Sequence, residues 1–239
     1  MHEKAPNQHI HQTRRGAVHS HNSSWRSGEL NVRGSCVSKI HNEHPRWKSL
    51  LRRILFLGPH TCPWWFGYTF DNPLRRLVHD PQAILGSFVG PGQTAIDIGC
   101  GLGYFSIALA RIVGPGGKVI ALDVQSQMIQ RARRRAECQG LVNRIDFRIC
   151  KPDQLGVTVP VDFVLAFWVI HEVIDPKGLL IEIQSFIKPH GQLLIAEPKG
   201  HVSASRFSEM VELARLVGYK TSEGPLVRFS RSVVCSLNI

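Results

Sequence analysis

Three glycines at alternate positions, Gly99, Gly101 and Gly103, follow directly after an apolar run that contains Asp97. Glycine lets a backbone turn tightly and lets a ligand approach it closely, and a helix that begins at such a turn presents free N–H groups. We therefore predict that a nucleotide-like ligand binds at this turn. The spacing differs from the dinucleotide fingerprint Gly-x-Gly-x-x-Gly, because Tyr104 stands where its third glycine would fall.

The Gly-x-Gly-x-Gly turn, with Asp97 before it, resembles the first motif of class I S-adenosylmethionine-dependent methyltransferases. Asp123 ends the next apolar run, where the resemblance implies a carboxylate that accepts both ribose hydroxyls. Met128 follows in a segment similar to the family's helix entry, where a methionine often lies against the adenine. The resemblance implies S-adenosylmethionine as the cofactor and, in this part of the chain, the following contacts to it: Asp97, Gly99, Cys100, Gly101, Gly103, Asp123, Val124 and Met128.

Later segments continue the resemblance. After the third apolar run the family usually carries an acidic residue that faces the adenine amino group; Lys151 stands there, so we assign this contact to Asp153. The fourth run resembles the motif that faces the donor and the acceptor, and it implies that Phe167 contacts the cofactor. A Lys-Pro-His-Gly segment before the fifth run is close to the family's Lys-Pro-Gly-Gly turn. Within the superfamily the sequence is most similar to small-molecule enzymes of the ubiquinone/menaquinone-biosynthesis-like group, methyltransferase type 11.

The resemblance implies that a nucleophile attacks the sulfonium methyl group in line, with positioning and exclusion of water supplying most of the acceleration. His171 is the predicted catalytic base, required if the acceptor is a hydroxyl or a weakly acidic carbon. The alternative is a structural imidazole bonded to Glu172 or to the backbone. Trp65, Tyr68 and Trp168, together with His171, are predicted to contact a small-molecule acceptor; the alternative for the aromatic residues before the sheet is packing of the N-terminal helices.

The predicted elements place these residues at one edge of a sheet. Apolar runs suited to buried parallel strands cover residues 94–98, 118–124, 144–149, 162–167 and 192–197 and alternate with amphipathic helices. Residues 219–222 and 227–237 are predicted to form an antiparallel pair. The pattern predicts an α/β fold, with a doubly wound, Rossmann-like, seven-stranded and mostly parallel sheet, a C-terminal antiparallel strand pair and N-terminal lid helices.

The net charge of +11 is concentrated at the start of the chain. Lys and Arg outnumber Asp and Glu ten to three in residues 1–60, which also hold eight of the twelve histidines. We predict that residues 1–45 form a disordered, basic, His-rich tail, that 46–92 form a helical lid segment, and that 93–239 form the S-adenosylmethionine-binding domain. For a basic amphipathic helix at 46–57 two alternatives stay open: docking onto the core, and weak contact with an anionic membrane surface.

The composition excludes several other classes. No run approaches the roughly 20 apolar residues of a membrane span, and the first thirty residues lack the apolar core of a secretory signal, so a cytoplasmic protein is expected. The six cysteines lack the spacing of a zinc site or a disulfide scaffold, and no metal site is predicted. The alternatives to a methyltransferase are an NAD-dependent oxidoreductase and a non-catalytic protein that binds S-adenosylmethionine or nucleic acid. No specific nucleic-acid partner is expected, and the sequence predicts no oligomeric state.

Overall fold

The structure, a computed structural model, describes residues 75–238 except for the side chain of Arg76. Helices and strands alternate along most of this part of the chain. The helices are α1 (Arg75–Val78), α2 (Pro81–Leu85), α3 (Tyr104–Ile112), α4 (Ser126–Cys138), α5 (Pro176–Phe186) and α6 (Ala204–Val217), with short 3₁₀ turns at Val142–Arg144 and Ile170–Glu172. The strands are β1 (Thr94–Ile98), β2 (Lys118–Asp123), β3 (Ile145–Ile149), β4 (Val161–Phe167), β5 (Ile187–Pro198), β6 (Tyr219–Glu223) and β7 (Ser230–Leu237).

The strands form one seven-stranded sheet in the order β3-β2-β1-β4-β5-β7-β6. The first five strands are mutually parallel, and β7 runs antiparallel to both β5 and β6. The predicted α/β fold with a doubly wound sheet and a C-terminal antiparallel pair is confirmed. The structure adds that β7 is inserted between β5 and β6, although it follows both in the sequence.

Helices cover both faces of the sheet, which is why its central strands are almost wholly apolar. On one face, Leu109 of α3 and Ala132 of α4 pack in one apolar cluster. On the other face, Ile183 of α5 and Ala214 of α6 belong to a second cluster. Because both faces are buried, the ends of the strands and the loops beyond them are where polar side chains gather.

The starts of three elements follow from their hydrogen bonds, and the two strand starts among them differ from the prediction by three residues or more. Helix α2 begins at Pro81, because the Asp80 carboxylate accepts the Gln82 N–H at 3.0 Å and caps the helix. Strand β5 begins at Ile187 rather than at 192, because it already pairs with Val161 before a shift in register. Strand β7 begins at Ser230, since its ladder with β5 extends only that far.

The predicted tail at 1–45, the amphipathic helix at 46–57 and most of the lid segment at 46–92 lie outside the described residues. Only α1 and α2 belong to the described part of the lid segment. Within residues 75–238, no helix combines the length and the apolar character that crossing a bilayer requires.

Candidate functional site

A cavity of about 310 Å³, here the first cavity, opens at the carboxyl edge of the sheet. The segments that follow β1, β2, β3 and β4 build its wall, because the carboxyl ends of parallel strands meet at the same edge. The structure brings together half of the residues predicted for the site, and these line the first cavity: Gly99, Gly101, Asp123, Val124, Met128, Asp153 and Trp168.

The glycine turn needs glycine at each of its three positions. Gly99, Gly101 and Gly103 have φ of 67°, 52° and 77°, in the left-handed region that side chains disfavour. A β-carbon at Gly99 would lie 2.6 Å from a methyl carbon of Val169, and one at Gly103 would lie 2.9 Å from the β-carbon of Ala132. At Gly101, by contrast, no atom of the described residues lies within 4 Å of that position. Gly99 and Gly103 therefore pack against the protein, whereas Gly101 leaves open space for a ligand.

Asp123 connects the end of β2 to the glycine turn. Its side chain is 7% exposed; Oδ2 accepts the Gly101 N–H at 2.9 Å and Oδ1 accepts the Gln125 N–H at 2.9 Å. Burial raises the pKa of this carboxyl above its ordinary value, while the backbone N–H groups that it accepts act in the opposite direction. A carboxylate oxygen has two lone pairs, so each oxygen retains acceptor capacity on the wall of the first cavity.

Three predicted contacts, Asp97, Cys100 and Gly103, are not among the residues that line the first cavity. Asp97 is 2% exposed, and its carboxylate accepts the Ser106 hydroxyl at 2.5 Å. Burial raises the pKa of Asp97 to about 7, against the opposing influence of the Ser106 hydrogen bond and of the Arg75 charge. In the structure, Asp97 is therefore buried against α3 and does not face the first cavity.

The loop after β3 contributes both residues that were considered for the adenine contact. Lys151 and Asp153 are exposed and line the first cavity. Glu182 of α5 also lines the first cavity, and sequence reasoning missed it. Its carboxylate accepts the N–H groups of Leu155 and Gly156 in the same loop at 2.9–3.0 Å. A glutamate in an amphipathic helix normally indicates a solvated face, so no local signal could have identified it.

Phe167 ends β4 and Trp168 follows it, and the two side chains have different surroundings. Phe167 is 6% exposed, does not line the first cavity, and packs with its ring centroid 4.4 Å from that of Phe105. Trp168 lines the first cavity with a φ of 59°, which is rare for a bulky residue. Its indole N–H donates to the Ser230 hydroxyl at 2.8 Å and its backbone N–H donates to the Ala196 carbonyl at 2.8 Å. These two bonds hold the side chain at the wall.

His79 is a buried histidine that sequence reasoning missed. Its ring makes edge contacts with Phe167 at 5.3 Å and with Trp168 at 5.2 Å, and its Nε2 lies 2.9 Å from the Arg228 carbonyl oxygen. Burial lowers the pKa of His79, which favours the neutral ring that donates to this carbonyl. A single histidine outside any motif gives no sequence signal that it will be buried against Phe167 and Trp168.

The structure does not bring His171 to the first cavity. His171 lines a neighbouring cavity of about 320 Å³, here the second cavity. Its Nδ1 lies 2.5 Å from Oε2 of Glu197, whereas the structural alternative named Glu172 or the backbone as its partner. The role of His171 as a base stays a prediction. Trp65 and Tyr68, predicted to contact the acceptor, lie outside the described residues.

Replacement of Gly99 by alanine should lower the free energy of unfolding by about 2–5 kcal/mol, because the methyl group adds a clash with Val169 to the strain of a left-handed backbone. Gly156→Ala is the matched control: its φ is 68°, but no described atom lies within 4 Å of the new methyl group, so a loss of only about 1–2 kcal/mol is expected. Urea denaturation measures both values. Equal losses would show that Val169 does not restrict the turn.

Comparisons with known proteins agree with this geometry. A family model described as "Methyltransferase domain" matches residues 90–226, more than half of the chain. The chain is 30% identical to the ubiquinone/menaquinone biosynthesis C-methyltransferase UbiE of Hydrogenovibrio crunogenus over 119 residues, 48% of this chain and 46% of that protein. It is 31% identical to the tRNA 5-carboxymethoxyuridine methyltransferase of Escherichia coli over 137 residues, 56% of this chain and 51% of that protein. The chain thus spans about half the length of these curated relatives.

Among solved structures, a SAM-dependent methyltransferase from Aquifex aeolicus superposes with a TM-score of 0.65 at 24% identity, over 73% of this chain and 98% of that one. This likeness confirms the fold. The family match includes the glycine turn, Asp123 and His171. The chain therefore belongs to the methyltransferase-domain family, and its resemblance to class I S-adenosylmethionine-dependent methyltransferases is confirmed.

Proposed function

We propose that this chain binds S-adenosylmethionine in the first cavity and transfers its methyl group to an acceptor by in-line displacement. The observation that carries the proposal is the position of Asp123: its carboxylate fixes the Gly101 backbone and at the same time lines the first cavity. A carboxylate at the end of the second strand suits a ligand with ribose hydroxyls. Membership of the methyltransferase-domain family supports the same conclusion.

The described residues fit this cofactor. The open space at Gly101 admits a ligand close to the backbone, and the lone pairs of Asp123 accept hydroxyl donors. Met128 adds apolar wall suited to a base, with Asp153 nearby as an acceptor for an amino group. When bound, S-adenosylmethionine supplies a methyl group on a positively charged sulfur. Trp168 offers an aromatic surface that excludes water and favours a nearby cation.

His171 is the proposed base of the reaction, acting from the second cavity. The Ile170–Glu172 turn separates the two cavities, and Val173 lines both. We propose that the acceptor approaches the methyl group past Val173, where His171 takes its proton. An acceptor that is already a strong nucleophile needs no base, and only has to be held in line with the methyl group.

The proposed acceptor is a small molecule rather than a nucleic acid, although the relatives include both a quinone-biosynthesis enzyme and a tRNA enzyme. Two of the arginines that could contact phosphates already have partners within the protein. Arg135 donates to the Leu102 carbonyl at 2.8 Å, and Arg148 forms an ion pair of 2.6 Å with Asp146. A guanidinium engaged in this way contributes less to phosphate binding.

Labelled methyl transfer tests the proposal. The protein is incubated with S-adenosylmethionine that carries an isotope-labelled methyl group and with a cell extract divided into a small-molecule and an RNA fraction. We expect label in a product of the small-molecule fraction, identified by mass spectrometry, and none in RNA. Label confined to RNA would overturn the proposed acceptor class. Absence of label from both fractions, with S-adenosylhomocysteine binding intact, would overturn the transfer itself.

A further inference from the structure

Glu197 is a buried carboxylate at the carboxyl end of β5. It is 2% exposed, so its charge must be compensated by hydrogen bonds. Oε1 accepts the backbone N–H of Ile170 at 2.8 Å, and Oε2 lies 2.5 Å from Nδ1 of His171. Both partners belong to the Ile170–Glu172 turn. One side chain of β5 therefore holds the turn that follows β4 by two bonds.

This turn is the partition between the two cavities. On one side, Val169 and Glu172 line the first cavity; on the other, Ile170 and His171 line the second. Val169 also packs against the glycine turn, because its side chain lies next to the place that a β-carbon of Gly99 would occupy. A displacement of the turn would therefore move the wall of the first cavity and the imidazole together.

The Glu197 contact also selects the tautomer of His171. An ionised carboxylate can only accept, so Nδ1 must carry the proton and donate it. In the neutral ring Nε2 then holds a lone pair, and it has no hydrogen-bond partner among the described residues. The wall around it is mostly apolar, formed by Val202, Phe207, Met210 and Leu213. A nitrogen of this kind is suited to take a proton from a bound molecule.

Titratable and charged groups on β5, on the Ile170–Glu172 turn, on α6 and in the segment before α6 surround this imidazole. Burial alone lowers the pKa of His171, but the hydrogen bond and charge of Glu197, with the charge of Glu172, outweigh it and raise the pKa above its usual value. Arg206 of α6 opposes this rise. The ring of His201 lies at a centroid distance of 5.9 Å, and Glu209 lines the same cavity. Because the pKa is raised, Nε2 becomes available as a base only at a higher pH than in a free histidine.

We infer that Glu197 is a positioning residue for methyl transfer: its carboxylate fixes the partition between the two cavities and leaves Nε2 of His171 as the nitrogen that faces the acceptor. The inference rests on the proposed function for its catalytic meaning. The tautomer of His171 and the fixed position of the turn do not depend on the proposed function, because they follow from the two hydrogen bonds of Glu197. In the reaction, Nε2 takes the acceptor proton, the acceptor bonds to the methyl carbon, and the carbon–sulfur bond breaks with its electron pair left on sulfur.

The tautomer is tested first, by ¹⁵N NMR of the histidine rings at a pH where His171 is neutral, with assignment by comparison with His171→Asn. The wild type should show the proton on Nδ1. In Glu197→Gln the amide group can accept from Ile170 and donate to Nδ1, so the proton should move to Nε2. A wild-type ring protonated on Nε2, or a ring that does not change in Glu197→Gln, would overturn the inference. The wild-type measurement does not depend on whether Glu197→Gln folds.

Turnover tests the positioning role, with methyl transfer from labelled S-adenosylmethionine into the small-molecule extract as the assay. Glu197→Gln should lower turnover at least about tenfold, while its affinity for S-adenosylhomocysteine stays within about threefold, because the bond to Ile170 is kept. In a His171→Asn background, Glu197→Gln should cause no further loss of turnover, because the base is already absent. Losses that multiply in the double variant would overturn the inference, since Glu197 would then act independently of His171.

Failure of the proposed function gives a different result. If the wild type transfers no label, the NMR signals still report the tautomer that Glu197 selects. If the inference fails, the wild type still transfers label and only the pattern among the variants changes. Glu223→Gln is the matched control: this exposed glutamate of β6 lines neither cavity, so wild-type turnover is expected.

Discussion

Replacement of Asp123 by alanine should weaken the binding of S-adenosylhomocysteine at least about tenfold. A hydrogen bond to a charged group contributes roughly 1.5–3 kcal/mol, and a loss of 1.4 kcal/mol is a factor of about ten in affinity. The variant loses the acceptor proposed for the ribose hydroxyls, and it also releases the N–H groups of Gly101 and Gln125. The turn is then less ordered before the ligand arrives, which adds to the loss. Isothermal titration calorimetry measures the affinity directly.

Asp146→Ala is the control for this variant. Asp146 is a carboxylate on the neighbouring strand β3, where it pairs with Arg148 and does not line the first cavity. Its removal should change the affinity by less than about twofold, since a surface ion pair contributes little. A folded Asp123→Ala protein with wild-type affinity would falsify the assignment of Asp123 to the cofactor.

Replacement of His171 by asparagine should lower turnover by a factor of about 10² to 10⁴, the range typical of a lost general base. The asparagine amide nitrogen stands where Nδ1 stood, so the bond to Glu197 is kept while Nε2 is removed. Affinity for S-adenosylhomocysteine should stay close to that of the wild type, because His171 does not line the first cavity. Single-turnover transfer of labelled methyl groups measures the chemical step.

The pH profile separates a base from a structural imidazole. In the wild type, kcat/KM should rise with pH as His171 loses its proton, and the raised pKa places this rise above the pH expected for a free histidine. The variant should lack this rise. His190→Asn, an exposed histidine within β5, should keep both the rate and the profile of the wild type. If His171→Asn also kept them, His171 would be structural and transfer would depend on positioning alone.

The parts of the site that could be predicted are those encoded by neighbouring residues. An apolar strand, a run of glycines and an amphipathic segment are contiguous around Gly101, and Asp123 ends the next strand. Each of these signals is local, so the pattern was sufficient to place both residues at one edge of the sheet. In the structure, Gly101 and Asp123 both line the first cavity.

The parts that could not be predicted depend on contacts between distant segments. Glu197 and His171 are 26 residues apart, and they meet because β4 pairs with β5 in the register that sets Phe167 opposite Ala196. No pattern within either segment specifies that register. Phe167 shows the same limit: the sequence pattern predicts where strand β4 ends, but whether the last side chain faces the cavity or the core depends on its packing against Phe105.

The position of β7 between β5 and β6 affects the order in which the molecule can be completed during synthesis. Until residues 230–237 have left the ribosome, β5 presents an unpaired edge and β6 has no neighbour in the sheet. Such an edge is a site for pairing with other chains. Ser230, which holds the Trp168 indole, arrives with the same strand. A nascent chain that already contains the glycine turn and Asp123 therefore still lacks the hydrogen bond that holds Trp168 at the wall of the first cavity. The ligand site is complete only when β7 has been inserted into the sheet.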